Sequence, residues 1–290
     1  MRLRLREAGN NVRITDLPIR ILLDNGIFTH SEFAEGAIKQ TPLRWGNVVP
    51  LPPIHGLARK APDQDLEYQR QKEALFTVGR LIREGRIEAY DYSEIRSERM
   101  RGKAKIQEFN ALKGCQIHEC CPALERSRFR PTANFTDYIS KGGKKDRKAG
   151  VELGGANQIA FLEWLCSLRK KHIDILIQDA AQIHLTEFEV ETLRRIDWFQ
   201  SLCERSATPE NYPDVFHLWT AERNALDAML TLDKRLSNLV SRVRNERVKT
   251  IEIKTEVLRP LDLLQKLGID KPDPVPMEAD RFYYWHEVMR

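Results

Sequence analysis

Residues 213–235, PDVFHLWTAERNALDAMLTLDKR, decide the fold class. Pro213 and Asp214 suit a first helical turn, and Val215, Leu218, Trp219 and Leu226 recur near the helical period, so a helix opens at Asp214. Met229, Leu230 and Leu232, bounded by Asp227 and by Lys234-Arg235, have the length of a short buried strand that Asp233 closes. In an open α/β sheet, ligands bind outside the carboxyl ends of the strands, so a carboxylate placed there faces a cleft and not a core.

The same pattern of strand followed by acid occurs near the N-terminus, where Ile19, Ile21, Leu22 and Leu23 end in Asp24-Asn25-Gly26. Taken in order, ILLDN, DVFHLWTAERNA and MLTLDKRL resemble the signature segments of the PIN-domain nucleases. RIEAYDYSEIRSERMRG at 86–102 resembles that family's second strand and the helix that carries its glutamate. VKTIEIKTEVLRPLDLLQKLGI resembles its last strand and terminal helix, so the resemblance covers roughly half the chain. It implies a three-layer α/β/α sandwich, Rossmann-like, with a short central parallel sheet.

A chain of 290 residues is long enough for a substantial core, and 41% hydrophobic residues fit a globular protein. No run approaches the ~18 apolar residues of a membrane span, and MRLRLREAGNN lacks the apolar centre of a secretory signal. The expected setting is therefore cytoplasmic, without a membrane partner, and with the five cysteines reduced. Lys and Arg number 47 against 42 Asp and Glu, a net charge of +5, and gathering acids into one site would leave the remaining surface more basic still. Such a surface suits a polyanion, although an ordinary basic pI with no partner reads the same way.

Along the chain, residues 25–62 alternate Gly26, Gly36, Gly46 and Gly56 with Pro42, Pro50, Pro52, Pro53 and Pro62, and read as one long loop. A helix is expected from Asp65 to Glu84, ended by Gly85. A short strand follows at Ile87, Ala89 and Tyr90, then a helix capped by Ser93 that runs past Glu98 towards Gly102. Residues 115–156 read as a helical and irregular insertion containing KGGKKDRK, whose Lys141, Lys144, Lys145, Arg147 and Lys148 are either a solvated loop or phosphate contacts. Helix returns from Asn157 to Cys203, with HIDILIQDA open to a strand reading. The whole is taken as one domain, 1–290, with core about 17–114 and 157–270 and a tail at 271–290.

Carried over residue by residue, the resemblance makes Asp24, Asp214 and Asp233 catalytic, metal-binding acids with Glu98 as the fourth. Glu94, four residues earlier on the same helix, competes with Glu98. Asn25 stands where the family often has threonine or serine, and its amide remains able to hold a metal-bound water. Thr231 is a further candidate for positioning water, whereas His217 reads as a packed helix residue. Clustered carboxylates repel one another and call for a hard cation, Mg²⁺ or Mn²⁺. Two such ions about 4 Å apart hold the nucleophile and leaving oxygen of an in-line displacement, the geometry of phosphodiester hydrolysis.

Each acid also has a plainer reading: Asp214 favoured by the helix dipole, Asp233 a strand-ending turn residue, Asp24 the start of an Asp-Asn-Gly turn. Cys115, His118, Cys120 and Cys121 include good zinc ligands but lack the paired spacing of a structural site. RFYYWHEV near the C-terminus reads as a tail packing its rings, with base stacking as the other option. The expected function is a Mg²⁺- or Mn²⁺-dependent endonuclease acting on RNA in preference to DNA, with room for a regulatory protein partner. The alternative is a catalytically degenerate module of the same fold that binds nucleic acid or protein.

Overall fold

The computed structural model describes residues 17–40, 44–45, 49–50, 52–101, 110–129, 147–246, 251–284 and 287. Its first strand, β1 (Ile19–Leu23), buries Ile21, Leu22 and Leu23 completely, as a strand covered on both faces must. Then follow α1 (Asn25–His30), β2 (Ala34–Lys39), β3 (Arg44–Trp45), β4 (Val49–Pro50) and β5 (Ile54–Arg59). Helix α2 (Leu66–Arg83) is capped by Asp65, whose side chain accepts from the amides of Glu67 and Tyr68, and Gly85 at φ 72° turns the chain out of it. Strand β6 (Ile87–Asp91), α3 (Ser93–Arg101), β7 (Ile117–Glu119) and α4 (Arg126–Phe129) come next.

The second half begins with α5 (Arg147–Ser167), α6 (Lys170–Gln178), α7 (Glu187–Leu193) and α8 (Ile196–Arg205). It continues with α9 (Tyr212–Arg223), β8 (Ala228–Leu230), α10 (Lys234–Arg244), β9 (Glu256–Leu258), α11 (Pro260–Lys266) and β10 (Phe282–Tyr283).

The five-stranded sheet has the order β7-β6-β1-β8-β9, all parallel, and is flanked by helices. The chain builds outwards from β1 through β6 and β7, then returns to the other side of β1 as β8 and β9. That reversal beside β1 is a topological switch point, and the crevice at the carboxyl ends of β1 and β8 is where this architecture places ligands. Over the sheet, Phe199 stacks on Trp219 at 4.9 Å between ring centres, and Phe216 meets both rings edge-on. Among the described residues no helix is long and apolar enough to cross a membrane.

Several expectations need correction. Residues 25–62 are not one loop: α1 follows Asp24 directly, and β2 pairs antiparallel with β5 from Ala34↔Arg59 to Lys39↔Ile54. Of the glycines read as loop punctuation, Gly26 lies in α1, Gly46 is outside the described residues, and Gly36 and Gly56 lie inside these strands. Gly56 is required there because a Cβ would run into the Phe282 ring and the Tyr283 carbonyl of β10, which pairs with β5 on its other edge. Thus two rings of the C-terminal tail belong to this small sheet, over a minor core of Ala34, Leu57 and Met277.

Part of the stretch expected to be an insertion, Ile117–Glu119, is the edge strand of the main sheet. Ser93 is the first residue of α3 and not its cap, and its hydroxyl donates to Glu125. HIDILIQDA is helical as far as Gln178. Strand β8 ends at Leu230, so Asp233 does not close it but caps α10, accepting from the Arg235 amide at 2.7 Å. Lys141, Lys144 and Lys145 lie outside the described residues, and Arg147 and Lys148 begin α5.

Candidate functional site

Asp24 leaves β1 at the carboxyl edge of the sheet and takes the N-cap position of α1 without making a capping bond. Its backbone is pinned, the amide donating to the Leu230 carbonyl at 3.0 Å and the carbonyl accepting from Ile27. The side chain is therefore free to point into the crevice, where the Thr231 hydroxyl donates to Oδ2 at 2.8 Å. Thr231 also accepts from the Asp233 amide at 3.0 Å, a hydroxyl turn that links the two acids through one side chain. Both residues lie beyond β8, so this turn and not the alternation of a strand sets their relative placement.

Asp214 sits in the first turn of α9, whose amino end lies at the same edge. Burial, then the charge of Asp24, push its carboxyl up to about 7; Asp233 and Glu98 add to this and His217 opposes it. Asp24 is raised as well, chiefly by burial, with Glu98 adding to it and His217, the Thr231 hydroxyl and the Asn25 amide pulling the other way. Carboxylates from four separate segments thus feel one another electrostatically.

Glu98 and Glu94 diverge although they are one helical turn apart. Glu98 accepts from Gln158 Nε2 at 2.7 Å and lies 3.3 Å from His217 Nε2. Glu94 instead forms a buried ion pair with Arg126 at 2.7 Å and is not among the largest contributions to the charge field at Asp24 or Asp214. Geometry brings Glu98, and not Glu94, to the cluster.

His217, read from sequence as a packing residue, is buried at the centre of this group. Its Nδ1 is 2.7 Å from the Tyr92 hydroxyl. Burial alone would lower its pKa, but Glu98, Asp24 and Asp214 together outweigh burial and lift it to about 9. The imidazole then carries its proton at neutral pH, and both ring nitrogens donate, one to Tyr92 and one to Glu98. The spacing Asp214 to His217, three apart on one helical face, was the signal available in the sequence. Tyr92 and Gln158 carried none.

Glu98, Asp24 and Asp214 all act on this imidazolium, and His217 is the cation among the largest contributions at Asp24 and Asp214. Asn25 adds a buried side-chain oxygen without a hydrogen-bond partner next to Asp24. Hard oxygen donors, unbalanced negative charge and an orphaned acceptor fit a divalent cation carrying waters. Among the described residues, no three His, Cys, Asp or Glu side chains are already drawn together tightly enough to hold a metal ion. Cys115, Cys120 and Cys121 are free thiols, Cys115 donating to the Gly79 carbonyl, while the His118 ring lies against Tyr90.

Comparison with family models, with curated proteins and with solved structures finds no match for this chain.

Proposed function

We propose that the protein is a PIN-like, Mg²⁺- or Mn²⁺-dependent endonuclease that cuts RNA. The observation that carries this reading is the convergence of Asp24, Glu98, Asp214 and Asp233 on the carboxyl edge of the sheet, where the strand order reverses and where burial and neighbouring carboxylates disfavour the charges of Asp24 and Asp214. Asp24 and Asp214 would hold the cation directly, with Glu98, Asp233 and Asn25 positioning its waters. A divalent ion bound there supplies Lewis-acid stabilisation of the phosphoryl oxygens and lowers the pKa of water.

The chain's own residues do the rest. Thr231 fixes the Asp24 carboxylate by donating to Oδ2, leaving Oδ1 for the ligand. Glu98 is held in one rotamer by Gln158 and by the His217 imidazolium, and Tyr92 holds that ring from behind. The 5′-phosphate and 3′-hydroxyl products that the resemblance implies would arise from attack of water on phosphorus with cleavage of the P–O3′ bond, the 3′ oxygen leaving as the hydroxyl.

A second reading, the degenerate binding module, has its own support. Glu98 Oε1 is already shared by Gln158 and His217, Asp233 caps α10, and the acids stand too far apart to form a ready-made metal group. Labelled RNA and DNA strands incubated with Mn²⁺ or with chelator separate the two. The nuclease reading expects metal-dependent cutting that Asp214→Asn abolishes while binding stays equal or tightens, since a repulsive charge near phosphate is removed. Binding without cutting under any metal, identical in wild type and variant, supports the module.

A further inference from the structure

Asp214 is also one wall of a cavity of about 240 Å³ between the start of α9, the face of α10 and the segment 206–211 that precedes α9. Val215, Leu236 and Leu239, all buried, give it an apolar side. The side-chain amides of Asn211 and Asn238 border it, and neither takes part in a hydrogen bond among the described residues. Arg235 and Arg242, seven apart on α10 and both exposed, stand at its edge. The Arg235 side chain has no acidic partner among the described residues, and Arg242 reaches only the Arg205 carbonyl at 3.4 Å.

An apolar slot bordered by a few uncommitted polar groups is how proteins hold a flat heterocycle. An amide, with one acceptor and two donors, matches the edge of a nucleobase, and flanking guanidinium groups match phosphate. A base stacked in a duplex cannot enter such a slot, whereas the splayed bases of single strands and loops can. We propose that this cavity takes the base of an unpaired nucleotide, with its neighbouring phosphate presented to Asp214 and with Arg235 and Arg242 on the adjoining backbone. This rests on the nuclease reading of the acids and adds to it a subsite that holds the base beside the phosphate to be cut.

The test measures fluorescence anisotropy of the full chain in chelator with three probes: a labelled single-stranded RNA, the same strand with abasic residues, and its duplex. Ala207, exposed on the cavity lining, allows Ala207→Trp to fill the space from the solvent side, and Asn238→Ala removes one amide without touching the core. Melting curves matching wild type establish that both variants fold. The intact strand is expected to bind wild type about tenfold more tightly than the abasic strand or the duplex, and each variant to lose most of that advantage. Equal binding of intact and abasic strands, or unchanged binding by both variants, overturns the proposal. Mn²⁺-dependent hydrolysis of bis(p-nitrophenyl) phosphate, a diester without a base, reports the acids alone. Hydrolysis without base-dependent binding overturns the cavity proposal only, whereas failure to hydrolyse either this diester or RNA overturns the nuclease reading and the placement of phosphate at Asp214 with it.

Discussion

Removing a charge from the candidate site should stabilise the metal-free protein, and Asp214→Asn is the substitution that shows it. The Asp214 carboxyl is pushed to about 7 by burial and by Asp24, from an ordinary value of 3.8 in the unfolded chain. Between those values the folded protein keeps a proton that the unfolded chain has released. Stability therefore falls as pH rises from about 4 to about 7, and the penalty is complete above that window. A gap of about three units at roughly 1.4 kcal/mol each sets a ceiling near 4 kcal/mol. Solvent reaching the half-buried side chain reduces this to on the order of 2 kcal/mol, a rise of a few degrees in Tm.

The assay is thermal melting of wild type and Asp214→Asn in chelator across this pH range. The variant should melt higher at about pH 8, and the two should converge near pH 4. Adding Mn²⁺ should raise the wild-type Tm and leave the variant's nearly unchanged, because only a ligand bound by the folded state stabilises it. A variant that melts at or below wild type at every pH in chelator would refute the claim that repulsion and burial strain this carboxylate.

Three further outcomes follow from the contacts. Glu98→Gln should cut Mn²⁺-dependent RNA cleavage by on the order of a hundredfold, measured by initial rates. Glu94→Gln should instead destabilise the fold by roughly 3 kcal/mol in denaturant titration, because Arg126 is left buried without its partner; the reverse pattern would exchange their roles. Gly56→Ala should cost about 1–3 kcal/mol and expose the C-terminal strand to limited proteolysis, since the new Cβ meets Phe282 and the Tyr283 carbonyl; unchanged protection would show that β10 adapts. Tyr92→Phe should lose about 1 kcal/mol of stability and shift the cleavage pH profile by releasing His217, and an unmoved profile would remove Tyr92 from the site's support.

The central strand was legible because a parallel strand covered on both faces must be continuously apolar, and Ile21, Leu22 and Leu23 are. Helix α2 was legible to within a residue at each end, and Gly85 as its exit, since a glycine after a periodic run is local chemistry; the capping role of Asp65 was not read. The β2–β5 hairpin was not. Its Gly56 is dictated by a strand that arrives more than two hundred residues later, so the pattern reads as breakers until Phe282 is placed against it. Strand β7 has only Ile117, His118 and Glu119, half-buried or exposed at the sheet edge, which leaves no periodicity to detect.

Around the candidate site, the placement of Asp24 after a strand and of Asp214 in a first helical turn was legible because strand ends and helix starts announce themselves. The cooperation of His217 with Glu98 could not, because a buried helix histidine in a sequence looks the same whether it packs or holds a carboxylate. Asp233 shows both readings at once: it caps α10 and adds to the field on Asp214.

Anomalous scattering from crystals soaked in Mn²⁺ tests the central claim most directly. The account predicts a manganese peak about 2.1 Å from carboxylate oxygens of Asp24 and Asp214, with waters reaching Asn25, Glu98 or Asp233. An empty cluster at saturating Mn²⁺ would contradict it.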